Sequence, residues 1–133
     1  MTHAPSPTMD DLGDLLDFWR ARLRLMDWDI VLETYRLKQW TAMGKSAYTV
    51  GFCAESRPNG MARIAMLDIA DMPDDIAEPC RDVEQTLVHE LLHLLMPVSA
   101  SDGSDADGER AINRVAQALV RLRRESNVIK ETP

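Results

Sequence analysis

Cysteine is scarce in this chain. Cys53 and Cys80 are the only two, too few to staple a disulfide scaffold, and thiols at that level fit a reducing, cytoplasmic setting. Positive charge is also in deficit: 15 Lys and Arg stand against 22 Asp and Glu, for a net charge of −7. That balance argues against a basic surface made for nucleic acid. The opening MTHAPSPTMD has neither a basic n-region nor an apolar core, so no signal peptide is read there. The longest apolar run, residues 87–98, is broken by His89, Glu90 and His93 and is too short to span a bilayer. No membrane partner is expected. GxSxG, P-loop and GxGxxG sequences are missing, and so is any internal repeat. Histidine is rare: beyond His89 and His93 there is only His3.

What remains is an ordinary globular composition, with 45% apolar and 28% charged residues in 133. A chain of this size buries roughly two thirds of its unfolded surface and needs no metal merely to fold. Residues 1–8, with Pro5 and Pro7, read as a flexible leader, 9–127 as one domain and 128–133 as a C-terminal tail. Thr8 and Asp11 form a capping signal. Leu12, Leu15, Leu16, Trp19 and Leu23 then recur at helical spacing, predicting a helix over 9–26. Alternation over 28–36 predicts a strand. Residues 37–44 carry no clear period, and Gly44 suggests a turn. A second strand is expected over 46–54, with Tyr48, Val50 and Phe52 on one face. After the turn signal Pro58-Asn59-Gly60, a third is expected over 61–69. The last two read as a hairpin, with 61–69 as the sheet's edge strand. An acidic loop over 72–79 leads to a helix bounded by Pro79 and Pro97. A last helix is expected from Asp107 to about 127, with Ile112, Val115, Ala116, Leu119 and Leu122 as its apolar stripe. The order predicts an α+β fold: an N-terminal helix, a short, mainly antiparallel three-stranded sheet, and two helices.

The chemistry sits in TLVHELLHLLM, residues 86–96. His89, Glu90 and His93 spell H-E-x-x-H. Residues four apart on a helix share a face, so two imidazoles at this spacing can converge on one Zn²⁺. Glu90, one step round, reaches water beside the metal rather than the metal itself, which is the place of a general base. The helix is apolar nearly all round, and polar groups in such a setting need partners. Two satisfied core histidines are the bland alternative; a shared ion partners both rings at once.

A catalytic zinc usually takes three protein ligands. Ser99 stands where the longer HExxHxxGxxH pattern needs its histidine, so that pattern is excluded. Glu109 is the leading third-ligand candidate, because it shares the inward side of its helix with Ile112 and Ala116. Asp102, Asp105 and Asp107 are alternatives, although solvated turn and cap roles explain them. Asn113, one turn after Glu109, is a candidate to hold a ligating histidine's second nitrogen, with an exposed helix asparagine as the alternative. The loop Asp105-Ala106-Asp107-Gly108 lacks the positions of an EF-hand: Gly103 and Arg114 stand where acids are needed. Arg110, Arg114, Arg121, Arg123 and Arg124 read as a solvated helix face.

On His89-Glu90-x-x-His93 followed by Glu109 and Asn113, the chain resembles the gluzincin branch of HExxH metallopeptidases. Over about 9–125 it is similar in layout to the single-domain minigluzincins, and to SprT-like and ImmA/IrrE-type proteins. Trp28-Asp29-Ile30 fits small phage- or prophage-encoded members. SprT-like proteins usually supply a third histidine, which this chain lacks. The resemblance implies a cytoplasmic zinc metalloendopeptidase with one Zn²⁺ per chain. His89, His93 and Glu109 would bind the ion, Glu90 would activate zinc-bound water, and Asn113 would support a histidine. The substrate would be an extended peptide or protein segment paired to the sheet's edge. The family's oxyanion-stabilising His or Tyr has no clear counterpart; Tyr35 and Tyr48 are the tyrosines at hand. The alternative is a metal-stabilised regulatory or binding module with peptidase architecture and little turnover. A phage DNA-associated protein is a third reading. The oligomeric state is open.

Overall fold

The computed structural model describes residues 7–96 and 106–131, with side chains as far as Ser126. After a single 3-10 turn, α1 runs Leu12–Arg22, and β1 spans Asp29–Tyr35. There follow α2 (Leu37–Ala42), β2 (Gly51–Ser56), β3 (Met61–Leu67), α3 (Val83–Leu95) and α4 (Ala106–Glu131). The capping signal ahead of α1 is formed: the Asp11 carboxylate accepts from the Thr8 backbone N–H at 2.7 Å. The architecture is α+β and zincin-like: an N-terminal helix, a short three-stranded sheet and two further helices, the first of them carrying H-E-x-x-H.

The sheet order is β1-β3-β2, and this corrects the expected edge. β3, not β1 or β2, is the central strand. Ala62, Ile64, Ala65, Met66 and Leu67 are all buried, the near-continuous apolar run of a strand covered on both faces. β2 pairs with β3 antiparallel, as the hairpin reading expects. β1 pairs with β3 in parallel, Asp29 opposite Met61 through Tyr35 opposite Leu67, so the sheet is mixed. A parallel pair needs a crossover of a dozen or more residues. Residues 36–60, holding α2 and β2, supply it.

α2 is the element without a clear sequence period. One residue explains it: Trp40 is 0% exposed, and its indole N–H is shared between the carbonyls of Ser46 (3.0 Å) and Thr49 (2.9 Å). That fastening, with Gly44 at φ +82°, holds the chain in a loop until β2 starts, later than alternation suggests. Trp40, Ala65, Leu67, Met72 and Ile76 form a small core on one face of the sheet. The main core lies on the other face, where Leu12, Trp19, Ile64, Met66, Leu87, Leu91, Ile112, Ala116 and Val120 bring α1, α3 and α4 together.

The segment read as one helix from Pro79 divides. A 3-10 turn over Glu78–Arg81 ends at Asp82, whose carboxylate then caps α3 by accepting from the Gln85 N–H at 3.2 Å. Just inside α3, Glu84 is fully buried. It accepts from Trp19 Nε1 at 2.8 Å, from Arg123, and from Arg124 at 3.1 Å. This one carboxylate ties α1, α3 and α4 together. The pairing also corrects the reading of Arg123 and Arg124 as solvated.

Candidate metal centre

α3 packs against α4 and β2, so its one polar face opens between them. On that face His89 and His93 stand one turn apart, with their Nε2 atoms 3.2 Å from each other. α4 lays its buried Ile112, Ala116 and Val120 into the core. Glu109, three residues before Ile112, is thereby turned toward α3. Its Oε2 lies 3.2 Å from His89 Nε2 and its Oε1 3.1 Å from His93 Nε2. The three residues offer donor atoms that all lie within 4.8 Å of one another.

The spacing is informative. Tetrahedral donors at roughly 2.0–2.1 Å from a zinc ion stand about 3.3 Å apart, close to the distances found here. Hydrogen bonds alone serve this cluster poorly. A ring nitrogen carries at most one proton, and that proton points along one direction. A single cation in the middle engages all three donors at once. Two imidazole nitrogens and one carboxylate are also a donor set that suits zinc.

Electrostatics point the same way. The pKa of His89 is pushed down, first by burial and then by His93, while Glu109 and Asn113 oppose the shift. That favours the neutral ring, the form that binds metal. Glu90 is only 7% exposed. Burial, reinforced by the charge of Glu109, pushes its pKa up to about 8.

Glu90 lies in the same cleft, of about 330 Å³, lined by His89, His93 and Glu109 from the helices and by Gly51, Phe52, Cys53 and Glu55 from β2. Gly51 is there for space. A Cβ on it would meet Thr86 Cγ2 at 2.9 Å and stand 3.6 Å from Glu90 Oε2. The strand therefore lies directly against the helix at Glu90. Cys53 is a thiol held protonated: burial, with Glu90 and Glu55 nearby, pushes its pKa up to about 12.

The structure brings His89, Glu90, His93 and Glu109 into one cleft. Asn113 interacts with the His89 ring, yet among the described residues His89 Nδ1 is buried without a hydrogen-bond partner. Asp107 points to solvent, its side chain 96% exposed and 3.8 Å from Arg110. Asp102 and Asp105 lie outside the described residues. The tyrosines are engaged elsewhere: Tyr48 donates to Asp75 at 2.8 Å and Tyr35 to Glu33, and neither lines the cleft.

Sequence reasoning overlooked the contribution of β2. Gly51 was its one available signal, since a glycine inside a strand often marks close approach of another element. Arg57, beyond the strand's end, was also overlooked. It donates to the backbone carbonyls of His93 (3.1 Å) and Leu94 (3.4 Å).

Fold and site together define a class: a zincin-like α+β domain whose His89, His93 and Glu109 cluster resembles a zincin-type metal-binding site and can hold a divalent ion. Comparison with known protein families, characterised proteins and solved structures finds no match to this chain. Among the described residues no helix is long and apolar enough to cross a membrane.

Proposed function

We propose that this protein is a zinc-dependent hydrolase, a metalloendopeptidase of the minigluzincin type. One observation carries the reading: His89, His93 and Glu109, from two helices, present donors 3.1–3.2 Å apart beside a buried Glu90. His89, His93 and Glu109 would hold one Zn²⁺. A zinc ion there supplies Lewis-acid activation of water and of a scissile carbonyl. Glu90 takes the proton from the attacking water and returns it to the leaving amine. Burial of Glu90 raises its affinity for a proton above that of an ordinary carboxylate, which favours the accepting step. Asn113, which interacts with the His89 ring, would help hold that ring in place.

The substrate is an extended peptide segment. Among the described residues the outer edge of β2, not β3, is the unpaired edge at the cleft, and backbone pairing along it would lay a peptide across Glu90. A glutamate as third ligand supports the minigluzincin assignment over the SprT-like one.

The test is cleavage of an unfolded protein by the purified chain. Activity should disappear with a zinc chelator and return with added Zn²⁺. Glu90→Gln should keep the zinc and lose cleavage. If Glu90→Gln cleaves as fast as the parent, this mechanism is wrong. One observation favours a second reading, a metal-stabilised binding module: neither Tyr35 nor Tyr48 reaches the cleft to serve an oxyanion. Bound zinc without cleavage of any unfolded substrate would select that reading.

A further inference from the structure

Arg57 stands in the turn between β2 and β3 and reaches across to the end of α3. Its Nη2 donates to the carbonyl of His93 at 3.1 Å and its Nη1 to that of Leu94 at 3.4 Å. Its Nε donates to Glu55 at 3.1 Å, and the guanidinium lies 5.7 Å from the ring centre of Trp28. The last four carbonyls of a helix have no partner within it. α3 has no glycine at its end to turn the chain back: Met96 closes it with φ −124°, and Pro97, next in sequence, has no N–H to offer. Among the described residues, a cation at the negative end of the helix is the device present. Here it grips the residue whose ring faces Glu109.

We infer that Arg57 is a positioning residue of the metal centre. It fixes the backbone of His93, and through Glu55 it holds β2 at a set distance from that helix end. Arg57 is not among the residues that line the cleft. The exposed Arg57–Glu55 ion pair contributes little by itself; the bonds to the carbonyls carry the effect. The planar fork matters, because two carbonyls and a carboxylate are reached at once, which a single ammonium cannot reproduce.

This inference rests on the metal reading, and cobalt(II) separates the two. Cobalt takes the place of zinc and reports donor geometry in its visible spectrum. Arg57→Ala should weaken cobalt binding about tenfold, the low end for groups that orient ligands, and alter the spectrum of the folded protein. Arg57→Lys should fall between Arg57→Ala and the parent. Arg36→Ala breaks an ion pair with Asp71 away from the cleft, so it should lower stability and leave affinity and spectrum unchanged. Should Arg57→Ala not fold, Arg57→Lys decides: it should bind cobalt more weakly than the parent. Parent-like affinity and spectrum in the folded arginine variants would overturn the inference and leave the metal reading standing. A parent protein that binds no cobalt would overturn both.

Discussion

Three residues on α3 were legible because a helix has one period. The four-residue step from His89 to His93 fixes their common face, and Glu90 follows from its place beside them. Glu109 was legible through its neighbours, since Ile112 and Ala116 are buried and aim the first turn of α4. Gly51, Cys53, Glu55 and Arg57 could not be placed that way. Their positions depend on which strand is the edge and where its turn meets the helix, neither of which has a local signature. At this scale the sharpest expectation concerns the third donor. Glu109→Gln should lower zinc affinity by one to two orders of magnitude, and the exposed Asp107→Asn should leave it unchanged, as isothermal titration with zinc can measure. The reverse ranking would place the donor elsewhere.

The elements meet through two contacts with opposite logic. At the first, Glu84 is fully buried with Trp19, Arg123 and Arg124 as partners. Removing one partner of a buried ion pair strands the other. Arg123→Ala should therefore destabilise by about 3 kcal/mol, near the low end of that range because Arg124 remains. Denaturant unfolding measures it. At the second, β2 lies on α3 with no room for a Cβ at Gly51. Gly51→Ala should destabilise by about 1–3 kcal/mol through overpacking. Thr86→Ser removes the methyl that the new Cβ would strike and should recover most of the loss. If the double variant is no more stable than Gly51→Ala, the clash is not the cause. Strand order escaped the sequence for a related reason. Hairpin signals join β2 to β3, but nothing local says that β1 returns on the far side of β3 in parallel. α2 escaped because a short helix held by Trp40 has no room for a repeating stripe.

Over the whole molecule, the order of the elements other than α2 and most of the main core followed from hydrophobic periodicity, although Val115 and Leu122 of the expected α4 stripe are exposed while Val120 is buried; the mixed sheet was settled by burial of β3 on both faces. Long-range ion pairs also set the acid limb of stability. Asp71 accepts from Arg36 at 2.7 Å and from the Leu37 N–H at 2.8 Å. Arg36 and that backbone bond hold its pKa at about 2, below the value near 3.9 of an unfolded aspartate. A carboxylate with a depressed folded pKa stabilises above its unfolded pKa and loses that contribution as pH falls toward the folded one. Asp71→Asn should therefore cost stability at neutral pH and flatten the fall between about pH 4 and pH 2. Thermal melts across that window check both parts.

The proposed metal centre gathers residues from α3 and α4 against β2, so the bound ion is the most direct readout of the whole arrangement. Elemental analysis of the purified chain, paired with zinc titration of the metal-free form at neutral pH, measures it. The parent and Glu90→Gln should each hold about one zinc per chain, while His89→Ala, His93→Ala and Glu109→Gln should lose most of it. A parent protein that carries no transition metal and takes up no zinc on titration would contradict the assignment of this cleft as a metal centre.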